Sequence, residues 1–255
     1  MKVLRDFLFQ LRYLGRGVPR SIGKHEFRFD VSLRRWNFDQ ESEVREGIES
    51  GIESGGTAID IGANFGMHTV LMARCVGASG KVMAFEPIPE NLRQLRRNIK
   101  LNHLDNQVSV VASAVSDLEQ PTLEMVVDSD NLEPSAAIST DIGASGTVSV
   151  KNQSLDSATS HLTALDDCFV KIDVEGAELS VLRSGLDFLA RVRPKLLLEV
   201  HDYALPQFGE STESVYAFLR ERGFEIQQLS NMANHNGQYH HILAVPSKVE
   251  YNTIN

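Results

Sequence analysis

The chain has 255 residues, enough to bury a full core in one α/β domain with an extension. Its apolar fraction of 42% and charged fraction of 23% are ordinary for a globular protein, and a net charge of −9 argues against a large nucleic-acid footprint. The charge is uneven: residues 1–35 carry nine Lys/Arg against three Asp/Glu, which leaves the remainder strongly acidic. No apolar run approaches the length of a membrane span, and the N-terminus lacks the apolar core and cleavage site of a signal peptide. Cys75 and Cys168 fall in apolar contexts and read as buried free thiols of a reducing, cytoplasmic compartment.

In chain order, residues 2–14 place Val3, Leu4, Phe7, Leu8, Leu11 and Leu14 near helical spacing, with Arg5 and Arg12 between them. Such a helix packs on the domain or on a second copy in a homodimer, or it touches a membrane surface. Residues 26–36 alternate as a strand or irregular arm. Over 40–53, Val44, Ile48 and Ile52 form one helical stripe that Asp39 can cap, and Gly55-Gly56 ends it. Strands and helices then alternate: strand 57–61, helix 66–76, strand 81–86, helix 89–102 and strand 108–112. Segments 122–127 and 147–151 read as short strands, a hairpin or an edge pair. The polar stretch 128–146 between them has the length and composition of a functional lid or a disordered loop. Strand 169–173, a helix over 178–189, strand 196–200, helix 212–222 and strands 224–229 and 241–245 complete the pattern.

Alternating units with near-continuous apolar strands predict a doubly wound, Rossmann-like, mostly parallel sheet covered on both faces. The site then lies at the carboxyl ends of the strands. Asp60, Glu86, Asp173 and Glu199 each end a strand, with His201 just beyond. Four acidic strand ends facing one crevice are poorly explained by surface solvation.

Thr57-Ala58-Ile59-Asp60-Ile61-Gly62-Ala63-Asn64-Phe65-Gly66 is a buried strand, an acidic end and a Gly-rich turn opening a helix. A dinucleotide fingerprint would need Gly where Asn64 stands, and Asp60 would repel a pyrophosphate. A cofactor carrying an ammonium and a sulfonium suits the turn, and S-adenosylmethionine has both. Glu86 ends the next strand, placed to accept from a ribose diol. In Val170-Lys171-Ile172-Asp173-Val174-Glu175-Gly176-Ala177-Glu178, Lys171 and Asp173 share one face of a strand end, and Glu178 opens the following helix.

The stretches D-I-G-A-N-F-G, A-F-E-P and K-I-D-V-E-G-A-E-L-S-V-L resemble the signatures of FkbM-type methyltransferases, over roughly residues 55–245. The resemblance implies a class I, S-adenosylmethionine-dependent fold with a seven-stranded sheet. It divides the chain into an extension (1–54), a methyltransferase domain (55–247) and a tail (248–255). It implies O-methylation of a sugar or another small-molecule or glycan acceptor. Two alternatives stay open: a protein or other macromolecular acceptor, and a non-catalytic relative that only binds the cofactor. Implied at the cofactor are Asp60, Gly62, Asn64, Gly66, His68, Thr69, Glu86, Ser113 and Ala114, with Asp117 nearby. Asp173, then His201, are the candidates for base or acceptor anchor, and Lys171 restrains Asp173 or holds an acceptor oxygen. Glu175, Glu178 and Glu199 are placed as acceptor contacts. Asp173, Glu199 and His201 could also hold Mg²⁺, although the ligand pattern is loose. His235, His240 and His241 show no metal-ligand spacing.

Overall fold

The computed structural model describes residues 12–13, 15–38, 40–127, 136–138, 146–162, 167–230 and 238–247. Most of the basic helix expected over 2–14, Asp39 and most of the 128–146 loop lie outside them. A hairpin of β1 (Val18–Ile22) and β2 (His25–Phe29) comes first, then a 3-10 turn (Val31–Arg35) and helix α1 (Ser42–Gly51). Next come β3 (Thr57–Ile61), α2 (Met67–Val76), β4 (Lys81–Phe85), α3 (Pro89–Leu101) and β5 (Val108–Val111). An excursion follows, built from β6 (Ala114–Val115), β7 (Thr122–Val127), β8 (Ala136–Ile138), β9 (Thr147–Gln153) and α4 (Leu155–Thr159). The chain returns through β10 (Cys168–Ile172), α5 (Glu178–Arg183), α6 (Leu186–Val192) and β11 (Lys195–Val200). It closes with α7 (Thr212–Glu221), β12 (Phe224–Gln228) and β13 (His240–Pro246).

The central sheet has seven strands in the order β12-β13-β11-β10-β3-β4-β5. The run from β11 to β5 is parallel, and β13 is antiparallel to both its neighbours. This is the expected doubly wound sheet, with order reversing between β3 and β10. Strand alternation assigns side chains to two layers. Phe169 of β10 belongs to one buried cluster, with Phe29, Ile48, Val70 and Leu95, whereas adjacent Val170 belongs to a second, with Leu182, Leu198 and Leu219, on the other face. Each such buried side chain contributes about 1.5–3 kcal/mol. The face that holds Phe169 therefore also receives Lys171, its cross-strand partner Asp60, and Glu199 with its partner His241.

Three elements differ from the sequence reading. The helix expected over 178–189 is split into α5 and α6 around Gly185. A Cβ there would stand 2.7 Å from Leu155 Cδ2, and Ser184 Oγ accepts from the Leu155 amide, so α4 wedges the break open. The 122–127 and 147–151 segments do pair, but in a separate four-stranded sheet, β6-β9-β7-β8, rather than on the main sheet. Residues 26–36 are strand only to Phe29, and the hairpin partner β1 lacked a signal strong enough to read.

The N-terminal segment is tied to the domain by amides. Asn98, fully buried on α3, donates from Nδ2 to the Phe65 carbonyl (2.7 Å) and accepts at Oδ1 from the Asp30 amide (2.8 Å). One turn later, Asn102 bonds both backbone groups of Arg28. Trp36 then meets Phe65 edge-on at 4.7 Å between ring centroids. Asn98→Ala would strand a buried N–H and a carbonyl at once and lower the unfolding free energy by about 1–3 kcal/mol. Urea denaturation checks this, and a loss below about 0.5 kcal/mol would mean the amide does not carry the junction.

Candidate active site

The first βα turn is shaped by close backbone approach. Gly62 has φ +82°, and a Cβ there would stand 1.8 Å from the Asp173 carbonyl oxygen, so only glycine fits between the two strand ends. The amides of Gly62 and Ala63 both donate to the Phe85 carbonyl. Asn64 also adopts a left-handed backbone, and its amide donates to Glu86 Oε2 (2.8 Å). Glu86 Oε1 accepts from the Ile88 amide (2.8 Å) and from Asn91 Nδ2 (3.4 Å). Burial pushes this carboxyl up to about 7 in spite of those donors.

A cavity of about 710 Å³ opens at the carboxyl ends of the strands. One side is lined by Gly62, Asn64, Glu86, Asn91, Ser113 and Ala114, the other by Lys171, Asp173, Glu175, Glu199 and His201. Met125 of β7 and Ile138 of β8 close one wall, and Trp36, Gln40 and Glu41 bring the N-terminal arm to another. Of the residues expected at the cofactor, Asp60, Gly66 and Thr69 are not in the lining. Thr69 donates to Asp60 Oδ2 (2.5 Å), and both are fully buried, so this pair supports the turn from behind. Gly66 caps α2 with φ +90°. Asp117 turns away to accept from Ser180 (2.5 Å). His68 does line the cavity, and burial together with Lys171 keeps it well below its ordinary pKa, hence neutral.

Lys171 is the buried cation at the centre, 3% exposed. Its Nζ lies 2.8 Å from Asp173 Oδ2 and 4.0 Å from Asp60 Oδ1. Burial alone would lower its pKa, but Asp173, Asp60 and Glu199 outweigh that and hold it above the usual lysine value. Lys171 is thus paired directly with Asp173.

His201 is buried and held by a dyad. Its Nδ1–H donates to Glu178 Oε1 (2.6 Å), and Nε2 then faces Glu199 Oε1 (3.3 Å), Glu175 Oε2 (3.6 Å) and Asp173 Oδ1 (3.9 Å). Burial opposes its charge, but Glu178 and Glu199 raise its pKa well above the ordinary value. Glu178 itself is 0% exposed and absent from the lining, so it meets His201 instead of facing the cavity as an acceptor contact would require. Glu175 stays at the cavity, where the Tyr203 hydroxyl donates to Oε2 (2.5 Å). Sequence reasoning missed Trp36, Glu41, Asn91, Tyr203 and Tyr239. Only Asn91 carried a usable signal, one helical turn after the acidic strand end.

The residues present fit an adenosyl cofactor bearing an amino acid. Asn64 Oδ1 is buried with no hydrogen-bond partner among the described residues, an acceptor suited to an ammonium. Glu86 offers carboxylate lone pairs where a diol would lie, and Gly62 leaves backbone bare beside them. This sheet order with a pocket at its carboxyl edge defines a class I methyltransferase fold. Residues 60–226 match the model of the methyltransferase FkbM domain. The chain belongs to that family and is a methyltransferase. A comparison with curated proteins finds no match. Among solved structures, a putative rRNA methylase from Clostridium thermocellum is similar at a TM-score of 0.52 and 11% identity, over 82% of this chain and 96% of that one. A putative methyltransferase from Streptococcus mutans, solved in complex with SAH, is similar at 0.50 and 11%, over 80% and 96%. These likenesses establish the fold. Among the described residues, no helix is long and apolar enough to cross a membrane.

Glu86 sets a pH dependence. Ionised, it can accept from a diol, and a bound diol favours that form. Affinity for S-adenosylhomocysteine is therefore full above pH 7 and falls by up to about tenfold per pH unit below it, with proton release on binding. Calorimetry at pH 6 and 8 measures this. Glu86→Gln should weaken binding and flatten the pH dependence, whereas an unchanged slope would assign the proton to another group.

Proposed function

We propose that the protein is an S-adenosylmethionine-dependent O-methyltransferase acting on a hydroxyl of a sugar or other small-molecule or glycan acceptor. The observation that carries this reading is the Glu178–His201 dyad, with Nε2 presented to a cavity whose opposite side suits the cofactor. Asn64, Glu86, Asn91, Ser113 and Ala114 would hold the cofactor. Bound there, it supplies a methyl group already activated by its sulfonium.

The chain's own task is alignment and removal of one proton. Glu178 fixes the imidazole orientation. Nε2 is then the atom that can take a hydroxyl proton once the pH exceeds the raised pKa of His201, and activity should rise on the alkaline side. Asp173 and Glu175, either side of Nε2, are placed to accept from an acceptor hydroxyl and to stabilise the imidazolium formed. Lys171 donates to Asp173 Oδ2 and so fixes the position of that carboxylate at the cavity. The acidic lining disfavours phosphate-bearing acceptors and supports neutral polyols. The same reasoning speaks against nucleic acid, and the overall charge agrees.

His201→Asn should lower kcat by about 10²–10⁴-fold while S-adenosylhomocysteine affinity changes little. Glu178→Gln should move the pH–rate limb to lower pH, because the carboxylate that holds the imidazolium is gone. The assay is methyl transfer to a panel of hydroxylated sugars and small molecules, with unfolded peptide as comparison. Turnover on peptide alone, or full activity in His201→Asn, would defeat the proposal.

A further inference from the structure

Helix α3 carries Arg93, Arg96, Arg97 and Lys100 at positions i, i+3, i+4 and i+7, which is one face of the helix. The opposite face buries Leu92, Leu95 and Ile99, so the basic stripe is turned outward. Two contacts bring further cations to its C-terminal end. Asn102 bonds both backbone groups of Arg28, and the chain crosses α3 at Gly17, where a Cβ would stand 2.9 Å from Leu101 Cδ1. Arg16 and Arg28 therefore line one groove with Arg96, Arg97 and Lys100, and Asp105 is the one acid in that lining among the described residues.

These charges are not neutralised locally. Among the described residues, no carboxylate lies within ion-pair distance of Arg16, Arg96 or Lys100, and all three are exposed. Arg28 donates from Nη1 to the carbonyls of Arg16 (3.2 Å) and Gly17 (3.3 Å), neutral partners that leave its charge intact. Of the five, Arg97 alone pairs with a described acid, Asp30. Like charges at i and i+4, here Arg96 and Lys100, destabilise the helix that carries them. On a chain of net charge −9, so concentrated a basic face needs a reason beyond solvation. The groove shares no residue with the cavity at the strand ends, so methyl transfer does not supply that reason.

We propose that this groove docks the protein on an anionic lipid bilayer. The field of a charged membrane reaches only about 8 Å at physiological salt, so cations at the contact outweigh an acidic excess spread over the rest of the chain. Two observations favour a bilayer over a nucleic acid. The chain enters the groove at Gly15 and Arg16 directly from residues 2–14, whose sequence sets Leu4, Phe7, Leu8 and Leu11 among Lys2, Arg5 and Arg12. A basic groove continued by an apolar and basic sequence matches a surface that offers both phosphates and acyl chains. In addition, no described Phe, Tyr or Trp lines the groove for a base to stack on. The docking surface stands apart from the methyl-transfer reading and holds or fails independently of it.

The test is co-sedimentation of the full chain with vesicles of phosphatidylcholine alone or of phosphatidylcholine with about 30% phosphatidylglycerol. Binding is expected only to the anionic vesicles, and it should weaken as NaCl rises from about 0.05 M to about 0.5 M. Arg96→Ala and Lys100→Ala should each lower the partition coefficient about fivefold, and the double variant about 25-fold. Lys151→Ala removes an exposed cation outside the groove and should change it less than about twofold. Thermal unfolding midpoints confirm that each variant folds, and if the double variant does not, the two vesicle types with the unaltered chain decide alone. No sedimentation with the anionic vesicles at the lower salt would overturn the proposal. Equal binding to phosphatidylcholine alone would overturn it too, as would a folded double variant that binds as tightly as the unaltered chain. Binding to a poly(U) probe that the double variant loses, with none to vesicles, would assign the groove to nucleic acid and overturn the bilayer.

Discussion

The ammonium of Lys171, buried in the middle of a parallel sheet, is the constraint on which the rest of the site depends. A lone buried charge of that kind would cost several kcal/mol and would normally shed its proton. Asp60 on the adjacent strand and Asp173 two residues on offset that cost, and each in turn needs the ammonium. Cross-strand register makes the arrangement possible: Lys171 is paired with Asp60 in the ladder, so both project to one face. Removing Lys171 would leave Asp60 as an uncompensated buried charge, a loss of about 3–5 kcal/mol. The polar centre of the site is thus also part of its core.

Around that centre the backbone is equally tight. The first glycine turn and the end of β10 approach so closely that Gly62 admits no side chain against the Asp173 carbonyl. A shift of one strand end is therefore felt at the other, which couples the first βα turn to Asp173. The N-terminal arm is fastened to the same turn: Asn98 bonds Asp30 of the arm through one end of its amide and Phe65 of the turn through the other. The arm's Trp36 and Glu41 consequently reach the cavity as fixed walls.

The cavity is divided electrostatically. On the cofactor side a single carboxylate, Glu86, sits in a dry setting that raises its pKa into the neutral range. On the other side, Asp173, Glu175 and Glu199 surround the imidazole of His201, whose proton Glu178 and Glu199 stabilise against burial. Glu199 is the hinge of this side, with one oxygen toward His201 and the other toward His241. Both histidines hold it well below the ordinary carboxylate range even though burial pulls the other way.

Much of this was legible in the chain. Strand-length apolar runs ending in Asp60, Glu86, Asp173 and Glu199 define a doubly wound sheet with an acidic carboxyl edge, because buried strands need continuous apolar residues and a charge can be kept only at their ends. The Gly62 turn and the Lys171–Asp173 alternation are local geometry, and local geometry is written in spacing. Three things were not local. Gly185 breaks a helix only because Leu155, thirty residues earlier, packs against it. Glu178 and Thr69 look like site residues in sequence, but burial assigns them to His201 and Asp60. Glu41 and His241, 200 positions apart, meet at Glu199 because strand β13 runs antiparallel beside β11 and the arm folds back over the same sheet face. The sequence by itself determined the sheet, the turn and the acidic edge. Only the tertiary structure decided which acid serves which cation, since side-chain partners across a sheet are set by strand order and register.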